Sequence, residues 1–413
     1  MKQRDVLGET PAVAVITGVG CVSPFGVGGH EMVAKALAAN TSAIQPITSF
    51  STVGLPSCLG AEVPAAAVPL TEEARRWSRL SHMTVVACRY AAAEAGLLGT
   101  EAMHTMGLVV GTEFGDLRST EAFGLGFLRK GPVGLSPLLF PNTVMNAMAG
   151  TVSVALGIKG PMLTLNQTGI AGEVAVARAI ALIQAERAPA VLACGVDEIF
   201  PLLYETLVRW HIPSPQDGRE EACRPFDRRH NGPVLGEGAT AIMLESPASA
   251  RARDATILAE VRGVRWGGRP VRPQRYPASG QLSRRVLDGV VADTRLTPHA
   301  VEVAYLSGAG MPQHDEAELA LLAATFGAQG PVVTSVTHLA GEYGGLGTFR
   351  VAAATIAITQ GIVPLLPYLC QPIRTDIRFA TQRVAPPPMC VLVHGLARGG
   401  MQTALLIGRP QHE

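Results

Sequence analysis

Residues 163–193 read LTLNQTGIAGEVAVARAIALIQAERAPAVLA, and this stretch decides the fold. Leu163–Leu165 is a short apolar strand. From Gly172 to Gln184 the apolar positions, mostly alanine, valine and isoleucine, recur at helical spacing. Ala190–Ala193 is apolar again and too short for a helix. Strand, helix and strand in succession predict a sheet covered by helices.

The pattern extends outward in both directions. Upstream, Val13–Thr17 is a buried strand closed by Gly18 and Gly20, and residues 29–39 form a helix. A second helix spans about Arg79–Ala95, and Met106–Val110 is another apolar strand. Residues 111–160, rich in glycine, proline and asparagine, predict short helices, and residues 1–11 a loose leader. After Pro247 the pattern restarts: a strand over Thr256–Val264, helices over Gln281–Asp293, Asp315–Thr325 and Thr348–Gln360, and strands over Val303–Leu306, Met389–His394 and Gln402–Ile407. The chain therefore reads as an α/β protein with mostly parallel strands, loosely duplicated, with halves 12–247 and 248–413.

Composition narrows the function. Of 413 residues 47% are hydrophobic and 16% charged, and 34 Lys+Arg against 33 Asp+Glu leave a net charge of +1. That balance gives no electrostatic reason to expect nucleic acid, and the apolar content excludes a disordered chain. A mean hydropathy of +0.25 points to a large buried subunit interface. The most apolar windows stop short of the ~20 residues a spanning helix needs, so no membrane is expected. Seven scattered cysteines without a CxxC pair suggest neither disulfides nor zinc, and a reduced, cytoplasmic protein is expected. The ten histidines do not pair at metal spacing, and no dinucleotide or phosphate loop, HExxH or GxSxG elbow appears. No cofactor and no metal are expected. The densest charge run, Arg262, Arg265, Arg269, Arg272 and Arg275, reads as a solvated loop; if functional, it suits an acidic carrier protein.

Several blocks taken in order resemble the β-ketoacyl synthase family of the thiolase superfamily. They are Val15–Pro24; Phe140–Asn142 with Met148–Gly150 and Gly157–Pro161; Cys223–Asp227 with Val234–Gly238; Asp315–Leu319; Val333–Gly341; and Gly399–Gly400. The resemblance implies a duplicated thiolase-like α/β/α/β/α sandwich that dimerises by continuing a sheet across a two-fold, near Leu163–Leu165. Active members of the family carry a cysteine eight residues after the Gly-Pro pair, at the start of a buried helix. There the helix N-terminus lowers the thiol pKa, and N–H groups form an oxyanion hole. Here that position is Gly169, while Gln167 lies two residues earlier and the nearest cysteine in sequence is Cys194. The family's first catalytic histidine corresponds to Ser307, its lysine to Thr337, its second histidine to Glu342, and its gating phenylalanine to Arg398. A shifted register would promote His338 instead.

Loss of all four catalytic positions is similar to the chain-length factor, a non-catalytic partner of an active ketosynthase in type II polyketide systems. The implied assembly is a heterodimer with an active ketosynthase, served by an acyl carrier protein. Aromatic-polyketide factors usually place glutamine at the cysteine position, so polyene-type or highly reducing pathways fit at least as well. By the same resemblance, Gly111–Ala147 crosses the interface and caps the partner's acyl tunnel, with Phe114, Phe123, Phe127, Phe140 and Met145 as bulky candidates. Two other functions stay open. One is an enzyme of altered chemistry, a decarboxylase or acyltransferase with Glu342 as base. The other is a protein that holds acyl thioesters without turnover.

Overall fold

The computed structural model describes residues 12–68, 71–272, 275–278, 280, 282–327 and 329–411; the expected leader lies outside these described residues. Among the described residues the first half gives the main sheet five principal strands: β1 Ala14–Ser23, β2 Gly107–Thr112, β3 Met162–Asn166, β4 Ala190–Asp197 and β5 Gly238–Glu245. Five belong to the second: β6 Ala259–Gly268, β7 Val303–Tyr305, β8 Val332–Thr334, β9 Cys390–Leu396 and β10 Met401–Gly408. They lie side by side in the order β8-β7-β9-β10-β6-β1-β5-β4-β2-β3, with a short strand, Gly26–Gly28, folded back on the end of β1. Within each half the order is the same, third, second, fourth, fifth, first. The halves touch through a brief antiparallel pairing of Ala14–Ile16 with Ala259–Val261.

The helices that position the site are α1 His30–Ala39, α2 Arg79–Glu94, α3 Leu117–Lys130, α4 Ala147–Leu156, α5 Ala171–Gln184, α6 Arg285–Asp293, α7 Pro312–Phe326 and α8 Leu346–Gln360. Strand side chains alternate between two faces, and the buried clusters follow that alternation. In β2, Val109 joins a central cluster while Leu108 and Val110 join an outer one with α2 and α4. In β9, Val391 and Val393 join the same central cluster while Cys390 and Leu392 pack outward with α6 and α7. The central cluster is built on α1, α5 and α8. Five layers result, helix, sheet, helix, sheet, helix.

The central helices explain the small-residue composition. Every residue of α8 from Leu346 to Ile358 is buried, as expected of a helix enclosed on all sides. Alanine-rich faces let α5 and α8 approach each other and both half-sheets. At the start of α5, a Cβ on Gly172 would stand 2.6 Å from the Gly345 carbonyl oxygen, so only glycine fits there.

Four expectations need correction. Of the nine neighbouring strand pairs, four are parallel and five antiparallel, so the sheet is mixed. Unbroken apolar runs reflect burial on both faces, and here the layering supplies that burial whatever the strand direction. Strand β5, at the middle of the sheet, follows the Val234–Gly238 block and was not read as a strand, because four of its eight residues are Gly, Ala or Thr. Residues 117–130 form one helix of 14 residues, started by the Asp116 carboxylate on the Ser119 N–H (2.9 Å) and ended at Gly131, φ +64°. Arg262 and Arg265 lie on β6: Arg262 is buried against Glu260 (2.5 Å), and Arg265 pairs with Asp293 (2.5 Å).

Candidate functional site

The strand ends of the first half converge on the N-terminus of α5. Asp197, the last residue of β4, is buried and gathers four groups. It accepts the Thr112 hydroxyl (2.7 Å) and the N–H groups of Glu113 (3.0 Å), Phe114 (3.0 Å) and Gly345 (2.9 Å). Burial pushes its pKa up to about 7, against those donors. On the other side of the turn, the Asn166 amide donates to the Glu113 carbonyl (2.5 Å). Glu113 is thereby fixed by its backbone on both sides.

Its carboxylate reaches the position expected of a nucleophile. The Gly169 N–H donates to Glu113 Oε2 at 2.8 Å, and the Arg398 guanidinium pairs with Oε1. Burial pushes Glu113 above the usual carboxylate range, opposed by Arg398 and the Gly169 N–H. Gly169 has φ +68°, and a Cβ there would meet nothing within 4 Å. Arg398, expected at the gate position, joins this corner. Cys194 is buried on β4, and a hydrogen bond with Cys88, then burial, push its thiol well up.

The second half places its residues around a buried polar network. Ser307 Oγ donates to Glu318 Oε1 (2.9 Å), lies 3.1 Å from His314 Nε2, and accepts the Leu396 N–H (2.9 Å). His394 Nδ1 stands 2.7 Å from the same Glu318 oxygen. Burial disfavours charge on Glu318, but His394, His314 and the Ser307 N–H outweigh it and hold the carboxyl below its ordinary value. Burial lowers His314, whose ring stacks on Tyr276 with centroids 4.4 Å apart. Thr337 is buried and accepts the Ser335 hydroxyl (3.1 Å). His338, from the shifted register, is buried beside Tyr368, and burial pushes its imidazole down to about 4.

Glu342 sits between these groups. Its backbone pairs with Val234 and Gly236, its Oε2 is buried without a hydrogen-bond partner among the described residues, and burial pushes its pKa up to about 8. Nearby, Glu173 of α5 and Arg350 of α8 form a fully buried ion pair at 2.7 Å. Glu113, Glu173, Arg350, Glu318 and His394 were missed in the sequence. The available signal was a charge in an apolar helix, as in Arg350, alone in α8, which demands a partner.

The expected tunnel residues separate. Phe123 and Phe140 pack together with ring centroids 5.8 Å apart. Phe127, Phe140 and Met145 are exposed, while Phe114 and Phe123 are half-buried. Leu128 (79% exposed), Val133 (89%), Leu138 (87%) and Val154 (86%) are exposed as well, and α4, which carries Val154, packs against edge strand β3.

Two family profiles match the chain: Beta-ketoacyl synthase, N-terminal domain, over residues 12–250, and Beta-ketoacyl synthase, C-terminal domain, over 258–368. The chain belongs to the β-ketoacyl synthase family. Among its relatives in this family is the granaticin polyketide putative beta-ketoacyl synthase 1 of Streptomyces violaceoruber, 29% identical over 423 residues, 96% of this chain and 98% of the relative. Nodulation protein E of Rhizobium leguminosarum bv. trifolii is 30% identical over 361 residues, 85% and 87% of the two chains. The ishigamide ketosynthase/chain length factor shares the fold at a TM-score of 0.86 and 23% identity, covering 96% of this chain and 99% of that one. A ketosynthase solved with its type II polyketide acyl-carrier protein does so at 0.85 and 20%, covering 96% and 99%. The thiolase-like β-ketoacyl synthase fold therefore spans nearly the whole chain. No helix among the described residues is long and apolar enough to cross a membrane.

Proposed function

We propose that this chain is a chain-length-factor-like subunit, silent by itself, which pairs with an active ketosynthase in polyketide or related acyl-chain biosynthesis. The observation that carries the proposal is at Gly169. Covalent acyl transfer needs a nucleophile and a free oxyanion donor. Position 169 has no side chain, and its N–H is already bonded to Glu113. The groups aligned with the decarboxylating residues support the same reading: Ser307 and Thr337 are buried and bonded within the fold, and Glu342 would place an acid beside a substrate carboxylate.

The apolar surface on residues 117–154, next to β3, suits a partner. By family likeness the partner is an active ketosynthase that β3 joins across a two-fold, served by an acyl carrier protein. Phe114, Phe123, Phe127, Phe140 and Met145 are then candidates for shaping the partner's acyl tunnel. The testing experiment is co-expression with a ketosynthase that retains its cysteine and histidines. Stable co-purification, with all product lost when the partner's cysteine is replaced, supports the reading; independent turnover by this chain overturns it.

A second reading, acid-base chemistry on Glu342, is favoured by its raised pKa and its unpartnered oxygen. Replacing Glu342 with Gln would abolish any such activity.

A further inference from the structure

We infer that Glu113 is an internal substitute ligand: its carboxylate fills a carboxylate-binding site made by the Gly169 N–H and the Arg398 guanidinium, closing the acyl cradle from within. This rests on the reading of Gly169 as the former nucleophile position, and names what occupies it.

Three observations carry it. Both carboxylate oxygens are engaged, Oε2 by the Gly169 N–H (2.8 Å) and Oε1 by Arg398. That is the two-point recognition by which a backbone N–H and an arginine bind a carboxylate. The residue is held in place independently of its side chain, by Asp197 on its N–H and Asn166 on its carbonyl. Finally, Gly169 sits in a left-handed turn whose missing Cβ leaves open space, and its N–H points to Glu113 rather than into the start of a helix. Arg398 joins the corner from the far end of the chain, on the loop between β9 and β10. Its side chain is 18% exposed against 7% for Glu113, so the site has a route for a small anion from solvent.

Replacing Glu113 with alanine removes a fragment the size of acetate while leaving both donors. The E113A variant should therefore melt below the wild type, and formate or acetate should raise its Tm saturably, with chloride at equal ionic strength giving no such rise. The wild type should respond to acetate as it does to chloride, because its site is full. The double variant E113A/R398L, which lacks the cation, should show no acetate response. E113Q, which keeps the volume and loses the charge, should also be unresponsive. If E113A folds poorly, acetate present during refolding should restore its soluble yield, and R398L/E113A provides the folded reference.

An E113A variant as stable as wild type, or an acetate response no larger than that of chloride, overturns the inference. The outcome separates from the functional proposal. Acetate rescue together with turnover by the wild-type chain would remove the silent-subunit reading and leave the carboxylate site standing. A silent chain without rescue would do the reverse.

Discussion

Two regions of this protein have been treated in opposite ways. Around the N-terminus of α5 and the segment before α8, buried polar groups are paired within the fold: Glu113 with Arg398, Glu173 with Arg350, and Glu318 with His394. On α3, the loop after it and α4, by contrast, Phe127, Leu128, Val133, Leu138 and Val154 stand exposed. A site evolving toward new chemistry would keep polar groups reachable, and a free-standing monomer would cover its apolar patches. The contrast is between a closed interior and exposed apolar residues that the proposed partner would cover. Each prediction below breaks one side of it.

The largest effect is expected at the buried pair in the central layer. Arg350→Met alone leaves Glu173 buried without its cation and should destabilise by about 3–5 kcal/mol, or prevent folding. The double variant Glu173→Leu/Arg350→Met should recover most of that loss in denaturant titrations. A tolerated single variant would mean that the closed interior is not held by this pair.

The surface side is tested next. With an active ketosynthase, the assembly should bury more than about 2,000 Å² in total. Leu128→Asp with Leu138→Lys should abolish co-purification while leaving this chain's own melting temperature nearly unchanged, because both residues are exposed here. Persistence of the complex would move the partner surface elsewhere.

A smaller effect concerns product length. Alanine at whichever of Phe114, Phe123, Phe127, Phe140 or Met145 meets the acyl terminus should open room for two more carbons. At roughly 0.8 kcal/mol per buried methylene, that shifts the product distribution about tenfold toward longer chains at similar turnover. Enlarging Ala147 should shorten them. If no substitution across 111–147 changes product length in an intact complex, the subunit supports its partner without measuring the chain.

The smallest effect is on pH. Glu342 has a folded pKa raised from 4.5 to about 8, so its contribution is fully present below about 4.5 and is lost as pH rises through about 8. Glu342→Gln should match wild type near pH 5 and melt roughly 5 °C higher near pH 9. Parallel melting curves at all pH values would show that Glu342 is not the buried acid described.

How much of this was legible in the sequence depends on how local each cause is. Helix α5 was readable because apolar periodicity is a local property, and Asp116 and Gly131 marked α3 only once its 14 residues were seen as one run. Strand direction was not readable: β4 and β5 are antiparallel although both are buried throughout, and no residue type reports that. At the site, family likeness pointed to Gly169, Ser307, Thr337, Glu342 and Arg398 as the aligned positions. It did not locate Glu113, because what makes Glu113 matter is its contact with Arg398, 285 residues away. Glu173 and Arg350 were visible as charges in apolar helices, but their pairing depended on the packing of two helices from opposite halves.

The most direct test of the central claim is intact-mass analysis of the purified chain, alone, after incubation with acyl and malonyl carriers, beside its Gly169→Cys variant. The variant has room for the side chain, with a left-handed φ that costs it about 1 kcal/mol. The account predicts no covalent adduct on the wild type, and no condensation product from either protein, since Ser307 and Glu342 do not polarise a malonyl carbonyl. Stoichiometric acylation of the wild type, or condensation by this chain without a partner, would contradict it.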